Sequence, residues 1–236
     1  YADKKLAIAG DSTNLELSGL KVKEPAFGVD AYWIDKELQA DAEAKGYVIV
    51  EPDDVLTTHL NQIINGYASD LLGQEEVQEL LDNLKISYPN LVDTVVPKVM
   101  PLNQVTSVMK RILEEGVPIS DLRLILESLS SMNIQKMDSD DIAERIRPKL
   151  IPLLIQKLLK FKDTIPLITF SPELEQMILT TVRQNPDEKM LLIEGTLAKK
   201  ILSNLNDASE KFNSEGKPVF LIVAPQIRKH VARFVR

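Results

Sequence analysis

GYVIVEPDDVLTTHLNQIINGY, residues 46–67, decides the fold class, because the spacing of its apolar residues changes within it. Residues 47–50 form a short apolar run after a glycine, as a β-strand does. From Asp53 onward the apolar residues fall on one helical face, which predicts a helix that Asp53 or Asp54 caps. The residues of that face are Val55, Leu56, Leu60, Ile63, Ile64 and Tyr67. The chain therefore combines strands with helices.

Before this stretch, short β-like runs alternate with turn residues and glycines. The runs are residues 6–9, 15–22 and 31–34. An alanine-rich helix is predicted over residues 36–45, and the whole pattern predicts a small α+β module over residues 1–51. Residues 52–71 are expected to hold the helix of a first module that is incomplete in this sequence.

After residue 71 the apolar spacing stays helical and predicts a helical module over residues 72–148. The predicted helices are 75–88, 102–115, 121–131 and 140–147, with Ser120 and Ser139 as caps of the last two. Pro148 and Pro152 each lack a backbone donor, so the chain is expected to break or kink near Arg147, or to begin a new helix at Pro148. A hinge between modules is predicted at residues 147–152.

The last part of the chain alternates apolar runs with helical segments. Strands are predicted at 166–170, 190–193 and 218–223, and helices at 172–183, 196–212 and 225–235, with Ser171 as a helix cap. Three apolar runs separated by helices favour a parallel sheet with right-handed crossovers. The prediction is a C-terminal three-layer α/β module with a mainly parallel sheet over residues 149–236, in a multi-module α+β chain.

The composition is that of a globular protein and limits its functions. Of 236 residues, 44% are hydrophobic and 27% are charged, which excludes a disordered chain or a fibre. The net charge of −7 disfavours a protein whose main partner is nucleic acid or anionic lipid. The sequence has no cysteine, so disulfides and thiolate chemistry are excluded. No apolar stretch reaches the ~20 residues that span a bilayer, and none resembles a signal peptide.

The motifs of known enzyme and metal sites are missing. The glycines form neither G-x-G-x-x-G nor G-x-x-x-x-G-K-[ST], and the sequence lacks H-E-x-x-H and G-x-S-x-G. Asp53, Asp54 and His59 are conceivable metal ligands, but two aspartates at a helix start favour capping. Three carboxylate pairs are interpreted as solvated surface residues rather than as acid–base catalysts, namely Glu75/Glu76, Glu114/Glu115 and Asp140/Asp141. We expect no enzymatic activity, no metal and no cofactor.

A basic helix and an aromatic loop each allow more than one interpretation. The cations in and directly after the last predicted helix are Arg228, Lys229, Arg233 and Arg236. They suit RNA, acidic lipid or an acidic partner, or else the negative end of the helix dipole, and the dipole interpretation is favoured. Phe27 lies between a proline and a glycine in Glu24-Pro25-Ala26-Phe27-Gly28. Such a stiff loop presents its aromatic ring either to the core or to a partner, and the residues do not decide between them.

Several different short motifs are distributed along nearly the whole chain. They are LAI (6–8), EPAFG (24–28), AYWI (31–34), GYVIV (46–50), THL (58–60), QELLD (78–82), VPISDL (117–122) and ILE (125–127), followed by the predicted strand 218–223 and Arg228. In order and spacing they resemble the cytoplasmic portion of the FlhA/InvA export-gate family of flagellar and type III secretion systems. The run E-P-A-F-G-x-x-A-x-W-I favours the flagellar branch.

The resemblance implies a non-enzymatic docking platform below a membrane-embedded export channel, assembled as a homo-oligomeric ring. It implies export chaperone–cargo complexes and other export-apparatus proteins, including the ATPase complex, as partners, and no nucleic acid. The implied location is the cytoplasmic face of the bacterial inner membrane, with membrane contact only through N-terminal helices absent from this sequence. In the family a hydrophobic dimple binds chaperone–cargo complexes. The matching residues are Phe27 as apolar anchor, Thr58 as a small wall with a hydroxyl, and Glu24 as polar rim.

The sequence also departs from the family pattern. Family members usually carry Asp at the position of Glu24, a proline at that of Gly10 and often an arginine at that of Ser120, while Pro148 and Pro152 interrupt a helix that is normally continuous. The chain is expected to end before the family's last strand. The alternatives are a virulence type III export gate of the same family, an α/β metabolite-binding enzyme and a nucleic-acid-binding module.

Overall fold

The computed structural model describes residues 3–10, 17–26, 28–158, 165–186, 188–213 and 219–235. Within the chain, Tyr1–Leu71 and Leu72–Arg236 form two compact units. Each unit has buried apolar clusters of its own. The first unit holds an antiparallel sheet and the second is mainly helical, with a small parallel sheet near its end. The predicted mixed α+β class is confirmed.

The first unit is built on a four-stranded antiparallel sheet in the order β2-β3-β1-β4. The strands are β1 Lys4–Ile8, β2 Leu20–Lys23, β3 Asp30–Asp35 and β4 Val48–Val50. A short 3₁₀ turn and the helix α1 Gln39–Ala44 connect β3 to β4. The alternation of side chains in the strands divides the core between two faces. Ala7 and Ile34 pack with Ala42 of α1 on one face, while Leu6 and Ala31 are buried on the other.

The helix α2, Pro52–Gly66, covers the Leu6 face of the sheet through Val55. Pro52 occupies its first turn, and Glu51 is the N-cap residue without a side-chain hydrogen bond. The predicted caps Asp53 and Asp54 are therefore wrong, since both lie in the first turn. The apolar residues of the predicted helical face are mostly exposed. Only Val55 of that face is buried, and the exposed members are Leu56 (68%), Leu60, Ile63, Ile64 and Tyr67. A short helix, α3 Ala68–Leu71, ends the unit.

The second unit begins with a cluster of helices around one apolar core. They are α4 Gln74–Ser87, α5 Pro89–Val95, α6 Leu102–Glu114 and α7 Leu122–Ser130. The largest buried side chains of this core include Leu81, Met109 and Leu126. The predicted cap of α7 is wrong by one position, because the carboxylate of Asp121, and not the hydroxyl of Ser120, accepts a hydrogen bond from the Leu124 amide at 2.9 Å.

The next helix, α8, runs without interruption from Ser139 to Leu158 and contains both prolines. The predicted break near Arg147 and the alternative start at Pro148 are therefore wrong, while the predicted kink and the hinge at residues 147–152 stay predictions. Both prolines lie on the exposed side, where water can bond the carbonyls that they leave free, while Ile146 and Leu150 are fully buried in the helical core. Asp138 caps α8 by accepting from the Asp141 amide at 2.8 Å, so the predicted cap Ser139 is also wrong.

The remaining elements alternate, but they form a smaller sheet than predicted. They are β5 Leu167–Thr169, α9 Pro172–Gln184, α10 Gly195–Asn213, β6 Phe220–Ile222 and α11 Pro225–Phe234. β5 and β6 pair in parallel, with Ile168 opposite Leu221. Ser171 caps α9 through a hydrogen bond from the Leu174 amide, as predicted. Residue 218, the first of the third predicted strand, lies outside the described residues.

Residues 190–193 are not a strand, so the predicted three-stranded sheet is wrong. Leu191 and Ile193 pack against the small core of Ile178, Ile227 and Val231, while Met190 and Leu192 are exposed. The side chains thus alternate as in a strand, but the backbone makes no ladder with β5 or β6. The four-module division predicted from the sequence stays a prediction.

Candidate functional site

The loop between β2 and β3 is a closed hairpin connection. Beyond the last ladder pair of Lys23 with Asp30, the Glu24 amide donates to the Val29 carbonyl at 2.8 Å. The Gly28 amide donates back to the Glu24 carbonyl, also at 2.8 Å. Gly28 has a φ of 69°, in the left-handed region that a residue with a side chain seldom adopts. The backbone hydrogen bonds of Glu24 with Gly28 and Val29 therefore close the connection between β2 and β3.

The side chain of Glu24 is directed into this loop. It is only 3% exposed, and its Oε1 accepts a hydrogen bond from the Ala26 amide at 3.0 Å. Ala26 is buried too. Because Pro25 has no N–H, the Ala26 amide is the first donor that the loop offers after Glu24. The carboxylate thus satisfies a backbone group that the turn itself leaves without a carbonyl partner.

The three predicted docking residues lie in different places. Glu24 lies in the hairpin, Phe27 falls outside the described residues, and Thr58 is exposed on α2. α2 packs through Val55 on the sheet face that also carries Val22, two positions before Glu24. The helix that carries Thr58 therefore packs on the sheet face to which Val22 belongs. The docking site itself stays a prediction.

A second group of polar side chains joins α11 to α6 and α8. Arg228 of α11 donates to Glu115 through Nη1 and Nη2, both at 2.8 Å, and to Glu144 of α8 through Nε at 2.6 Å. Arg147 of α8 donates to the same Glu115 carboxylate at 2.6 Å. Burial opposes ionisation of Glu115, but the two guanidinium groups outweigh it and lower the pKa of that carboxyl. In the same way, burial is outweighed by Glu144 and Glu115, and the pKa of Arg228 is raised.

The rest of this ion-pair cluster surrounds the first turn of α8. Asp140 accepts from Arg111 at 2.8 Å and from Arg233, and Lys229 donates to Asp141 at 2.8 Å. The side chains of Glu115 and Asp140 are only 19% and 11% exposed. Hence their predicted placement on solvated surface is wrong. Three of the four terminal cations have carboxylate partners, and the fourth, Arg236, lies outside the described residues.

Sequence reasoning missed the ion-pair cluster because its members are far apart in the chain. Arg228 and Glu115 are separated by 113 positions, and nothing local in the sequence links them. The only available signal was the excess of cations in α11 beside acidic pairs at Glu114 and Asp140. Opposite charges of this kind indicate a contact only after the helices have been placed.

His230 is the buried titratable group of α11. Its Nε2 lies 3.3 Å from the Glu188 carbonyl oxygen, and Nδ1 has no hydrogen-bond partner among the described residues. Burial, together with the charges of Lys229 and Arg233, lowers the pKa of His230 against the opposing effects of the Glu188 carbonyl and Glu144. Burial therefore favours the neutral form of the ring.

Metal and membrane sites receive no support from the part of the chain that the structure describes. Within it, no three histidine or carboxylate side chains come together as ligands for a metal ion. Nor does any helix there combine the length and the apolar character needed to cross a bilayer. His59 is half-buried on α2, in the turn that follows Asp53 and Asp54.

The comparisons with known proteins cover the whole chain. The model of the FHIPEP family matches residues 1–236. The flagellar biosynthesis protein FlhA of Buchnera aphidicola subsp. Acyrthosiphon pisum is 34% identical over 216 residues, which cover 92% of this chain and 30% of that protein. The chain thus spans about a third of the length of the curated relatives it matches.

Two solved structures share the fold. The Chlamydia pneumoniae CdsV protein superimposes with a TM-score of 0.80 at 25% identity, over 98% of this chain and 66% of that one. The nonameric EPEC SctV-C gives a TM-score of 0.76 at 20% identity, over 100% of this chain and 71% of that one. Both similarities extend over the two compact units described above.

Proposed function

The chain belongs to the FHIPEP family, and on that basis we propose that it is a cytoplasmic docking platform of a type III protein export gate, in the flagellar branch. The observation that carries the proposal is the family match over all 236 residues, together with 34% identity to a flagellar biosynthesis protein. The solved structures with virulence-system names are at most 25% identical and support the fold alone. A virulence export gate is therefore the second candidate.

The proposed ligands are complexes of export chaperones with their cargo, bound at the hairpin of residues 24–29. Phe27 is the apolar anchor, Thr58 of α2 supplies a small wall, and Glu24 belongs to the same site. The closed backbone frame of the hairpin supports this role, because a preorganised loop loses little conformational entropy when a partner binds. Thr58 is exposed, as a contact residue needs to be.

The platform would act without bond-making chemistry. Recognition of cargo would then be a difference between binding free energies, and a few buried contacts would supply most of it. Glu115 and Arg228, whose pKa values are lowered and raised respectively, are paired with each other in the ion-pair cluster, and this supports a structural role for that cluster rather than an active site.

We further place the chain in a homo-oligomeric ring at the cytoplasmic face of the bacterial inner membrane, near other export-apparatus proteins such as the ATPase complex. A fold neighbour is described as nonameric, which supports a ring of copies. Sedimentation of the 236-residue chain at increasing concentration would test it. Self-association into a closed species supports the ring, and a monomer at every concentration contradicts it for this part of the protein.

The docking proposal is tested by calorimetric titration of a purified flagellar chaperone–cargo complex into the wild-type chain and into Phe27→Ala. Truncation of a buried aromatic anchor typically costs about 2 kcal/mol or more, so we expect Kd to rise at least about thirty-fold. Ile86→Ala is the matched control, since Ile86 is an apolar side chain 84% exposed on α4. Unchanged affinity of Phe27→Ala would refute the site.

A further inference from the structure

The second unit contains two apolar cores. One is the helical core of α4–α8, in which Ile146 and Leu150 are fully buried. The other is a C-terminal core, in which Ile178 of α9 packs with Ile227 and Val231 of α11. Among the described residues, no side chain belongs to both clusters. Apolar burial therefore stabilises each core separately.

The interface between the two cores carries ion pairs whose charges are divided by side. The C-terminal side supplies the cations, and the helical side supplies the carboxylates. The pairs are Arg228 with Glu115 and Glu144, Lys229 with Asp141, and both Arg233 and Lys189 with Asp140. Opposite charges arranged in this way are typical of an interface between two bodies with complementary surfaces.

Cations of the helical side contact two of the same carboxylates. Arg147 of α8 donates to Glu115 at 2.6 Å, and Arg111 of α6 contacts Asp140 at 2.8 Å. A carboxylate without a cation is costly in a partly buried place. Because Arg147 and Arg111 remain on the helical side, Glu115 and Asp140 would keep a cation even if α11 moved away. The interface can therefore open without leaving these two acids uncompensated.

Three clefts lie at this interface, and each has walls from both sides. The first is bordered by Arg111 and Arg233, the second by Arg147 and Leu221, and the third by Met137 and Gln226. A protein interior is close-packed and has few gaps larger than a water molecule. The two sides thus meet as an interface with open edges rather than as one continuous core.

We propose that the ion-pair cluster is an electrostatic latch, through which α11 holds the C-terminal core against the helical core, and whose release separates the two cores while each stays folded. Arg228 is its central residue, because its guanidinium bonds both Glu115 and Glu144. The latch gives the second unit a closed and an open form. It does not depend on the proposed docking function.

Spin labels on introduced cysteines can test the latch, because the 236-residue chain has no cysteine of its own. One label pair, Gln104→Cys on α6 with Gln176→Cys on α9, measures the distance across the interface. The other, Gln104→Cys with Ser130→Cys on α7, measures a distance within the helical core. All three residues are exposed. Double electron–electron resonance then compares the chain that retains Arg228 with its variants.

With Arg228 in place we expect one distance across the interface, with a longer one in fewer than about a tenth of the molecules. Arg228→Glu brings a third acid to Glu115 and Glu144, so the longer distance should occur in more than about half of the molecules. Arg228→Lys keeps the charge and should leave the shorter distance dominant. Arg123→Glu is the matched control, because Arg123 pairs with Glu127 on the exposed side of α7 and should not change the distance.

Three results would overturn the inference. One is an unchanged distance across the interface in Arg228→Glu. Another is a change in both label pairs of that variant, because the helical core would then unfold together with the interface. The third is equal opening in Arg228→Lys and Arg228→Glu, because the shape of the arginine side chain, and not its charge, would then hold the cores together.

Discussion

At the scale of single residues, Arg228 has the most closely defined role. Its guanidinium bonds two carboxylates that would otherwise repel each other, and its side chain is 19% exposed. Removing one partner from a buried ion pair leaves the other charge without compensation, and this costs more than the pair contributes in total. Arg147 remains near Glu115 but has no described bond to Glu144.

We therefore expect Arg228→Met to lower the free energy of unfolding by about 2–4 kcal/mol, measured by urea denaturation at pH 7. Arg123→Met is the matched control, because Arg123 forms an exposed i,i+4 pair with Glu127 and should cost no more than about 1 kcal/mol. Equal losses in the two variants would contradict a structural role for the ion-pair cluster.

Helix caps show which residue-scale features the sequence can predict. Ser171 was predictable because it stands alone before Pro172, and proline favours the first helical position. Asp121 and Asp138 were missed because each stands beside a serine, and Ser and Asp cap about equally well. The choice between neighbours depends on which residue leaves the helical backbone conformation, and the sequence does not contain that information.

At the scale of elements, α8 shows how packing overrides local propensity. A proline inside a helix removes one hydrogen bond and displaces the preceding turn. In α8 the cost is offset by burial of Ile142, Ile146 and Leu150 on the opposite side. The sequence supplied the start of this helix to within one residue, but its length depends on tertiary contacts.

Replacing Pro152 by Ala should increase the free energy of unfolding by about 1–2 kcal/mol, since it restores an amide donor inside α8. Pro172→Ala is the matched control. Pro172 lies in the first turn of α9, where no donor is missing, so we expect a loss of about 0.5 kcal/mol from the freer unfolded chain. Urea denaturation of both variants measures the difference, and a loss of stability in Pro152→Ala would contradict this account of α8.

The error at residues 190–193, where a strand was predicted and none forms, has a different cause. Its alternating burial, with Leu191 and Ile193 inward, is what a strand requires on one face. Pairing also requires a neighbouring strand within hydrogen-bond distance, and periodicity does not report on that. The proposed docking residues illustrate the same limit. The hairpin at residues 24–29 could be predicted from its proline and glycine, but the inward turn of the Glu24 carboxylate could not.

At the scale of the whole molecule, acid should destabilise the protein in two stages. The folded state lowers the pKa of both His230 and Glu115, so at each of these positions the unfolded chain binds a proton at a higher pH than the folded chain does. The first loss is expected as pH falls through the ordinary histidine value of 6.5, and the second as it falls through 4.5, the ordinary glutamate value.

Urea denaturation at pH 7, 5.5 and 4 measures this dependence. His230→Gln should remove the decline between pH 7 and pH 5.5, because no proton is then taken up at this position. His59→Gln is the control, and it should keep the wild-type decline. A decline of wild-type size in His230→Gln would show that other groups cause the first stage.

The unbroken course of α8 also has a mechanical consequence. Its 20 residues make a rod of about 30 Å. One side of this helix is buried in the helical core. Its Glu144 accepts a hydrogen bond from Arg228 of α11. A displacement of α11 would therefore act through Glu144 on the same helix whose Ile142, Ile146 and Leu150 are buried in the core of the second unit.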